Sequence, residues 1–345
     1  MSEQHWFFNV FGVSSAITKK SGVNVYYPFL YARQSELLAV RDVAALLSDD
    51  GTTIPIIEPI NHKADSLRLT VEATTHVNQP VYVVVNPEKG RFKEEDGQSK
   101  AWAGEISRLI EMHEIVRPTF VAGGSTTITS LRAFLKTWNA SKIGIVLRNS
   151  AISPAEIATL VDGVASDCLY FLLGEMPSSC DLKILSEERC VPVGENFRTQ
   201  ARNAFYAGIE PFTDMHKRYR TLGFAGFGDF TTLSGSYREM GAIPRAIAIH
   251  LTFANRVTHE IFVEHFVSNI DDSENSNLTE KMRQAIDRVA EGGRRLQNSI
   301  AQTAAYDKYL AASAAKSAVS LATNKRWSIS HHLDFISGFM AGRYI

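Results

Sequence analysis

The chain has 345 residues, 45% of them hydrophobic and 21% charged, with a formal net charge of -1. These are ordinary globular values, and they leave no global electrostatic pull toward nucleic acid or acidic membranes. Three cysteines, Cys168, Cys180 and Cys190, are too few and too irregularly spaced for a disulfide framework or a zinc site, and point to reduced thiols.

Residues 1–22 read as an extension, with Trp6 to Val13 a candidate strand or hairpin. It has none of the basic, apolar and small-residue order of a signal peptide, and no stretch of the chain approaches ~18 consecutive apolar residues, so a cytoplasmic protein is expected. From residue 23 a pattern repeats: a short apolar, β-branched run ends in a polar residue, and a helical stretch follows. The runs are Val25–Pro28, Ile54–Pro59, Val81–Pro87, Pro118–Gly124, Ile143–Arg148, Leu169–Glu175, Val191–Glu195 and Phe224–Asp229. Continuous apolar runs alternating with helices are the mark of buried parallel strands, and eight of them predict a closed (β/α)8 TIM-like barrel over residues 23–245.

The intervening helices have apolar stripes. Ser35 to Leu47, Lys100 to His113 and Thr126 to Trp138 each bury one face. Ser153-Pro154-Ala155-Glu156 combines an N-cap serine, a proline at the first helical position and a glutamate at the third. The sixth helix, Ser178 to Leu185, is short, and the seventh connection, Phe197 to Leu222, is polar and aromatic. After a Thr/Ser/Gly-rich loop, Ile247–Thr252 and Ile261–Phe266 predict a β-hairpin turning through Ala254 to Thr258. A polar linker over residues 270–277 leads to helices from Leu278, through the Ala-rich residues 301–322, to Ile329–Met340. Residues 246–345 therefore read as a hairpin plus a helical appendage.

Chemistry in such a barrel sits at the C-terminal ends of the strands. Glu58, Asn86, Glu88, Arg148, Glu175, Glu195 and Asp229 all fall there. This set could carry acid–base catalysis or hold a hard metal through oxygen ligands, or it could form a non-catalytic ligand-binding mouth or a structural polar layer. Glu58, Glu195 and Asp229 are the candidate catalytic acids. Arg33, Asn86, Arg148 and Glu175 are candidate substrate-binding residues, joined by Gly226 and Gly228, because loops near the eighth strand often hold phosphate. Gly123-Gly124 opens a helix but lacks the spacing of a P-loop or dinucleotide fingerprint. The histidines form no zinc pattern; His331 and His332, about 100° apart on a helix, should lie one buried and one exposed. His250 and His265 fall in the hairpin, either facing or alternating. No G-x-S-x-G elbow is present, and the residues specify neither a metal nor a cofactor.

Tyr27 to Arg41 followed by Ile54 to Pro59 resembles the opening of the bacterial Beta-protein-like families, found in prophages, satellite phages and their neighbourhoods. Gly226 to Phe230, Glu264 to Ser268 and Ser328 to Leu333 are similar to the same group. The resemblance implies a role in antiphage defence or immunity, with a protein partner encoded nearby, in the manner of a cassette in which one protein harms the host and another restrains it. It transfers no catalytic residue. The alternative expectation, from the strand-end acids, is a barrel hydrolase or lyase acting on a phosphorylated or nucleotide-like small molecule. A small anionic ligand fits either reading; a membrane fits neither, and nucleic acid has only the Arg202 to Arg220 stretch in its favour.

Overall fold

The computed structural model describes residues 25–93, 97–139, 142–165, 167–237, 244–270, 277–296 and 299–344. The expected strand or hairpin at Trp6 to Val13 lies outside them.

Six βα units come first. Strands β1 (Phe29–Tyr31), β2 (Ile56–Glu58), β3 (Val81–Val84), β4 (Val116–Ala122), β5 (Ile143–Arg148) and β6 (Cys168–Leu173) alternate with six helices. These are α1 (Gln34–Asp50), α2 (Asp65–His76), α3 (Gly97–Glu111), α4 (Ile128–Thr137), α5 (Pro154–Asp162) and α6 (Ser179–Leu185). Strand β7 (Cys190–Gly194) follows, and β9 (Gly228–Asp229) is the eighth barrel strand. All eight pair in parallel and in chain order. The ring closes where Tyr26 bridges Phe227: the Tyr27 N–H donates to the Phe227 carbonyl, and the Phe227 N–H to the Val25 carbonyl, each at 2.9 Å. The (β/α)8 architecture expected from the eight runs is therefore the observed one. The start of α5 also forms as its sequence requires, with Ser153 accepting from the Glu156 N–H and Glu156 reaching back to the Ser153 N–H.

Strand alternation sorts the core into two shells. Tyr27, Phe29, Ile54, Ile56, Tyr82, Val84, Val121, Val146, Phe171 and Val193 fill the barrel interior. Ile57, Val83, Phe120, Ile145, Tyr170 and Leu172 face the outer helices, among them Trp102, Ile106, Leu131 and Ile157.

The connection between β7 and β9 departs from a βα unit. It contains β8 (Gly208–Thr213) and only a single turn of helix, α7 (Met215–Arg218). Strand β8 leaves the barrel and pairs antiparallel with β11 (Ile261–Val267), which pairs antiparallel with β10 (Ala248–Ala254). The expected hairpin is thus present, widened to three strands by a segment whose half-exposed sequence carried no strand pattern. One face of this sheet packs on α8 (Leu278–Arg295) and α9 (Ala304–Ala314) through Ile249, Leu251, Phe266, Met282, Ile286 and Tyr309. The last helix, α10 (Leu321–Ala341), lies between β10 and α1. Its Ile329, Leu333 and Ile336 bury against Tyr26, Leu30, Val40 and Leu47. It takes the place of the barrel's eighth outer helix, so the chain returns to the barrel at its end.

His331 and His332 are both fully buried, which corrects the expectation of one exposed ring. A helix with solvent on one side would separate them; α10 has the sheet on one side and α1 on the other. No helix among the described residues is long and apolar enough to cross a membrane. Cys168 and Cys190 are buried and Cys180 is exposed, all three as free thiols.

Candidate functional site

The inward-facing series on β2 and β5 continues past the apolar layers to a pair of charges at the barrel mouth. Ile54 and Ile56 point in, and so does Glu58; Val146 points in, and so does Arg148. The Arg148 guanidinium grips Glu58 in a fork, Nη1 to Oε1 at 3.0 Å and Nη2 to Oε2 at 2.5 Å. Glu58 is wholly buried, whereas 14% of the Arg148 side chain reaches solvent. Bidentate geometry is the form in which an arginine–carboxylate pair best offsets its desolvation. Burial works against the charge of Arg148, but the hydrogen bonds and charge of Glu58 outweigh it and raise its pKa. The ring of Phe29 lies 5.7 Å from the guanidinium carbon.

Glu88, just past the end of β3, completes the cluster. Its backbone N–H donates to Glu58 Oε1 at 3.4 Å, and its own carboxylate lies 4.0 Å from Arg148 Nη1. Burial raises the Glu88 pKa, Arg148 opposes the rise, and the charge of Glu58 adds to it. The carboxylate rests against Gly123, where a Cβ would collide with it. That contact gives the glycine after β4 a role that the helix-start motif did not suggest.

The remaining candidates divide. Asn86 clamps the ends of β3 and β4: its Nδ2 donates to the Val121 carbonyl at 2.9 Å and its Oδ1 accepts from the Val121 N–H at 2.7 Å. Arg33 sits above the mouth, its guanidinium 5.7 Å from the Tyr31 ring and 4.9 Å from that of Tyr237, with Glu36 at 3.2 Å. The Tyr31 hydroxyl donates to the Gly235 carbonyl at 2.6 Å, and burial raises its pKa. Glu175 and Glu195 are exposed on the strand-end loops, and Glu195 accepts from the Ser234 hydroxyl at 3.1 Å.

Asp229 faces the other way. Phe227, just before β9, and Asp229 on it point outward, and Asp229 is fully buried between the barrel and α10. Its Oδ1 accepts from the Tyr26 hydroxyl at 2.8 Å and from the Thr231 N–H at 2.8 Å, with His332 Nε2 at 3.2 Å. His332 Nδ1 meets the Thr252 hydroxyl at 3.0 Å. This network is buried, and it leaves Asp229 Oδ2 without a hydrogen-bond partner among the described residues. Gly226 and Gly228 lie at the seam, where a Cβ would strike the Val25 and Tyr27 carbonyl oxygens. The mouth therefore gathers Glu58 and Arg148 with Glu88, and does not gather Glu195 or Asp229 with them. Among the described residues, no group of three or more His, Cys, Asp or Glu is placed to hold a metal ion.

In the hairpin, His250 and His265 sit opposite each other, Nδ1 to Nδ1 at 2.8 Å, against Phe197 and Tyr206. One ring must donate and the other accept.

These features define a (β/α)8 barrel with a charged mouth and a three-stranded sheet inserted before its last helix. The chain matches no protein-family model and no curated protein.

Proposed function

We propose that this chain is the partner-binding component of a bacterial antiphage defence or immunity system, using the barrel as a scaffold. The observation that carries this reading is the open edge of the inserted sheet. Strand β8 pairs with β11 on one side only, no other described strand pairs with it, and three of its six residues are exposed, Ile209 among them at 41%. A free strand edge is a template for pairing with a second chain, and Pro211 on it is the kind of residue that keeps such an edge from promiscuous pairing. The acids expected to do chemistry support the same reading. Glu58 is neutralised by Arg148, and Asp229 ties the barrel to α10. The resemblance to the Beta-protein-like families supplies the biological setting.

The test is co-expression with the proteins encoded beside it. One of them should co-purify with the wild-type chain, and Ile209→Glu should reduce its recovery by about tenfold, since a charge at an apolar contact removes the burial that drives association. A chain that purifies alone with every neighbour overturns the reading.

A second reading rests on one observation. Glu58, Glu88 and Arg148 come from three different strand ends and meet at the mouth, and Glu88 keeps solvent access with a raised pKa. In a barrel hydrolase or lyase acting on a phosphorylated or nucleotide-like molecule, Glu88 would be the proton-transfer group and Arg148 the group that positions the substrate. Glu88→Gln is nearly isosteric. It should abolish cellular activity with an unchanged melting curve under this reading, and leave activity intact under the first.

A further inference from the structure

Beside the mouth, and separate from its charged cluster, lies a cavity of about 1070 Å³. Its walls come from the loop after β7, the loop after β9, the start of β10 and the first turns of α10. Neither Glu58, Glu88 nor Arg148 lines it.

Two kinds of surface meet there. One is aromatic. Phe197 and Tyr206 lie 5.6 Å apart, and the ring of His250 stands edge-on to both, at 4.8 and 4.6 Å. Burial, aided by His265, holds the His250 pKa well below its ordinary value, so this wall carries no charge at neutral pH. The other surface is basic. Arg202 enters from the loop after β7 and Lys325 from the second turn of α10, and Arg245 also lines the space. The described lining includes no Asp or Glu. Lys325 lines the cavity from the α10 side, and its charge lowers the pKa of Glu36 on α1. The flank of α10 also lines this space through Leu321, Asn324 and Ser328.

An aromatic wall next to basic side chains suits a ligand that is planar at one end and anionic at the other, and the volume is slightly above the roughly 300–1,000 Å³ usual for small-molecule sites. We infer that this cavity binds a nucleoside phosphate, with the base against Phe197, Tyr206 and His250 and the phosphates toward Arg202 and Lys325. The site does not depend on the partner reading or on chemistry at the mouth.

Calorimetric titration of the full chain tests it, using ATP, adenosine and inorganic triphosphate as probes. ATP should bind at one site, more weakly as salt rises. Adenosine and triphosphate should each bind at least about tenfold more weakly than ATP, because each engages only one of the two surfaces. The Arg202→Ala/Lys325→Ala double variant should weaken ATP by at least about tenfold. Thr199→Trp, at an exposed lining position, should abolish binding by filling the space. Both variants alter exposed side chains, and their melting curves should match the wild type. The inference is overturned if ATP does not bind at about 1 mM, if both variants bind ATP as the wild type does, or if triphosphate or adenosine alone binds as tightly as ATP.

Discussion

Without the Arg148 guanidinium, the mouth would hold a buried carboxylate with its counter-charge removed. Glu58 is fully buried, and its two oxygens are matched to the two arms of that one side chain. Breaking a buried ion pair by removing one partner costs about 3–5 kcal/mol, whereas replacing both by apolar groups is often neutral or stabilising. Arg148→Ala should therefore lower the urea unfolding free energy at pH 7 by about 3–5 kcal/mol. Arg148→Met combined with Glu58→Leu should recover most of that loss. If the double variant is as unstable as the single one, the pair is holding more of the mouth together than its own charge.

Glu58 and Arg148 were legible in the sequence because each ends an apolar run, and the barrel rule places such residues at the mouth. Asp229 obeys the same rule and yet points outward. The reason lies in the strands themselves. In a half-buried strand, polar and apolar residues alternate and disclose which face is inside. In a parallel barrel both faces are apolar, so Phe227-Gly228-Asp229-Phe230 carries no mark of its parity. Strand β8 was hidden for the opposite reason: Gly208 to Thr213 is half exposed and includes Pro211, so it lacks the apolar run that revealed the others.

At the scale of the element, the seam between β1 and β9 decides whether the sheet becomes a barrel. Strand β9 is two residues long, and closure depends on the backbone of Val25 to Tyr27 meeting that of Gly226 to Gly228. A methyl group at Gly226 or Gly228 would point into a carbonyl oxygen of the partner segment, which is backbone and cannot swing aside. Overpacking of this kind costs about 1–3 kcal/mol and more where the neighbour is rigid. Gly228→Ala should lose at least that much in urea unfolding. Gly124→Ala, at a glycine whose Cβ would meet only one atom at ordinary contact distance, should change stability far less. Equal effects at the two positions would contradict the account of the seam.

At the scale of the whole molecule, one buried polar network joins the barrel to everything added to it. Tyr26 and Asp229 supply it from the barrel, Thr252 from the sheet, Thr303 from the cap of α9, and His331 and His332 from α10. His331 Nδ1 meets the Thr303 hydroxyl at 2.8 Å and its Nε2 meets the Thr252 carbonyl at 2.8 Å. Burial lowers the His331 pKa to about 4, against a partial rise from the Thr252 carbonyl. The unfolded chain takes up this proton near pH 6.5 and the folded chain only near 4, so His331 withdraws stability as pH falls through that window. Glu36 acts in the opposite sense. Burial raises its pKa to about 7, with Arg33 opposing, so its protonation favours the fold below about 4.5 and that contribution is lost as pH rises to 7. Each proton difference is worth about 1.4 kcal/mol per pH unit inside its window. In urea unfolding followed against pH, His331→Gln should therefore lose less stability than the wild type on going from pH 6.5 to 4. Glu36→Gln should lose more than the wild type on going from pH 7 to 4.5. Glu36 lies on α1, whereas His331 lies where α10 meets the sheet and the cap of α9, so opposite deviations would show two separate buried sites answering acid in opposite senses, and deviations of the same sign would exclude that account.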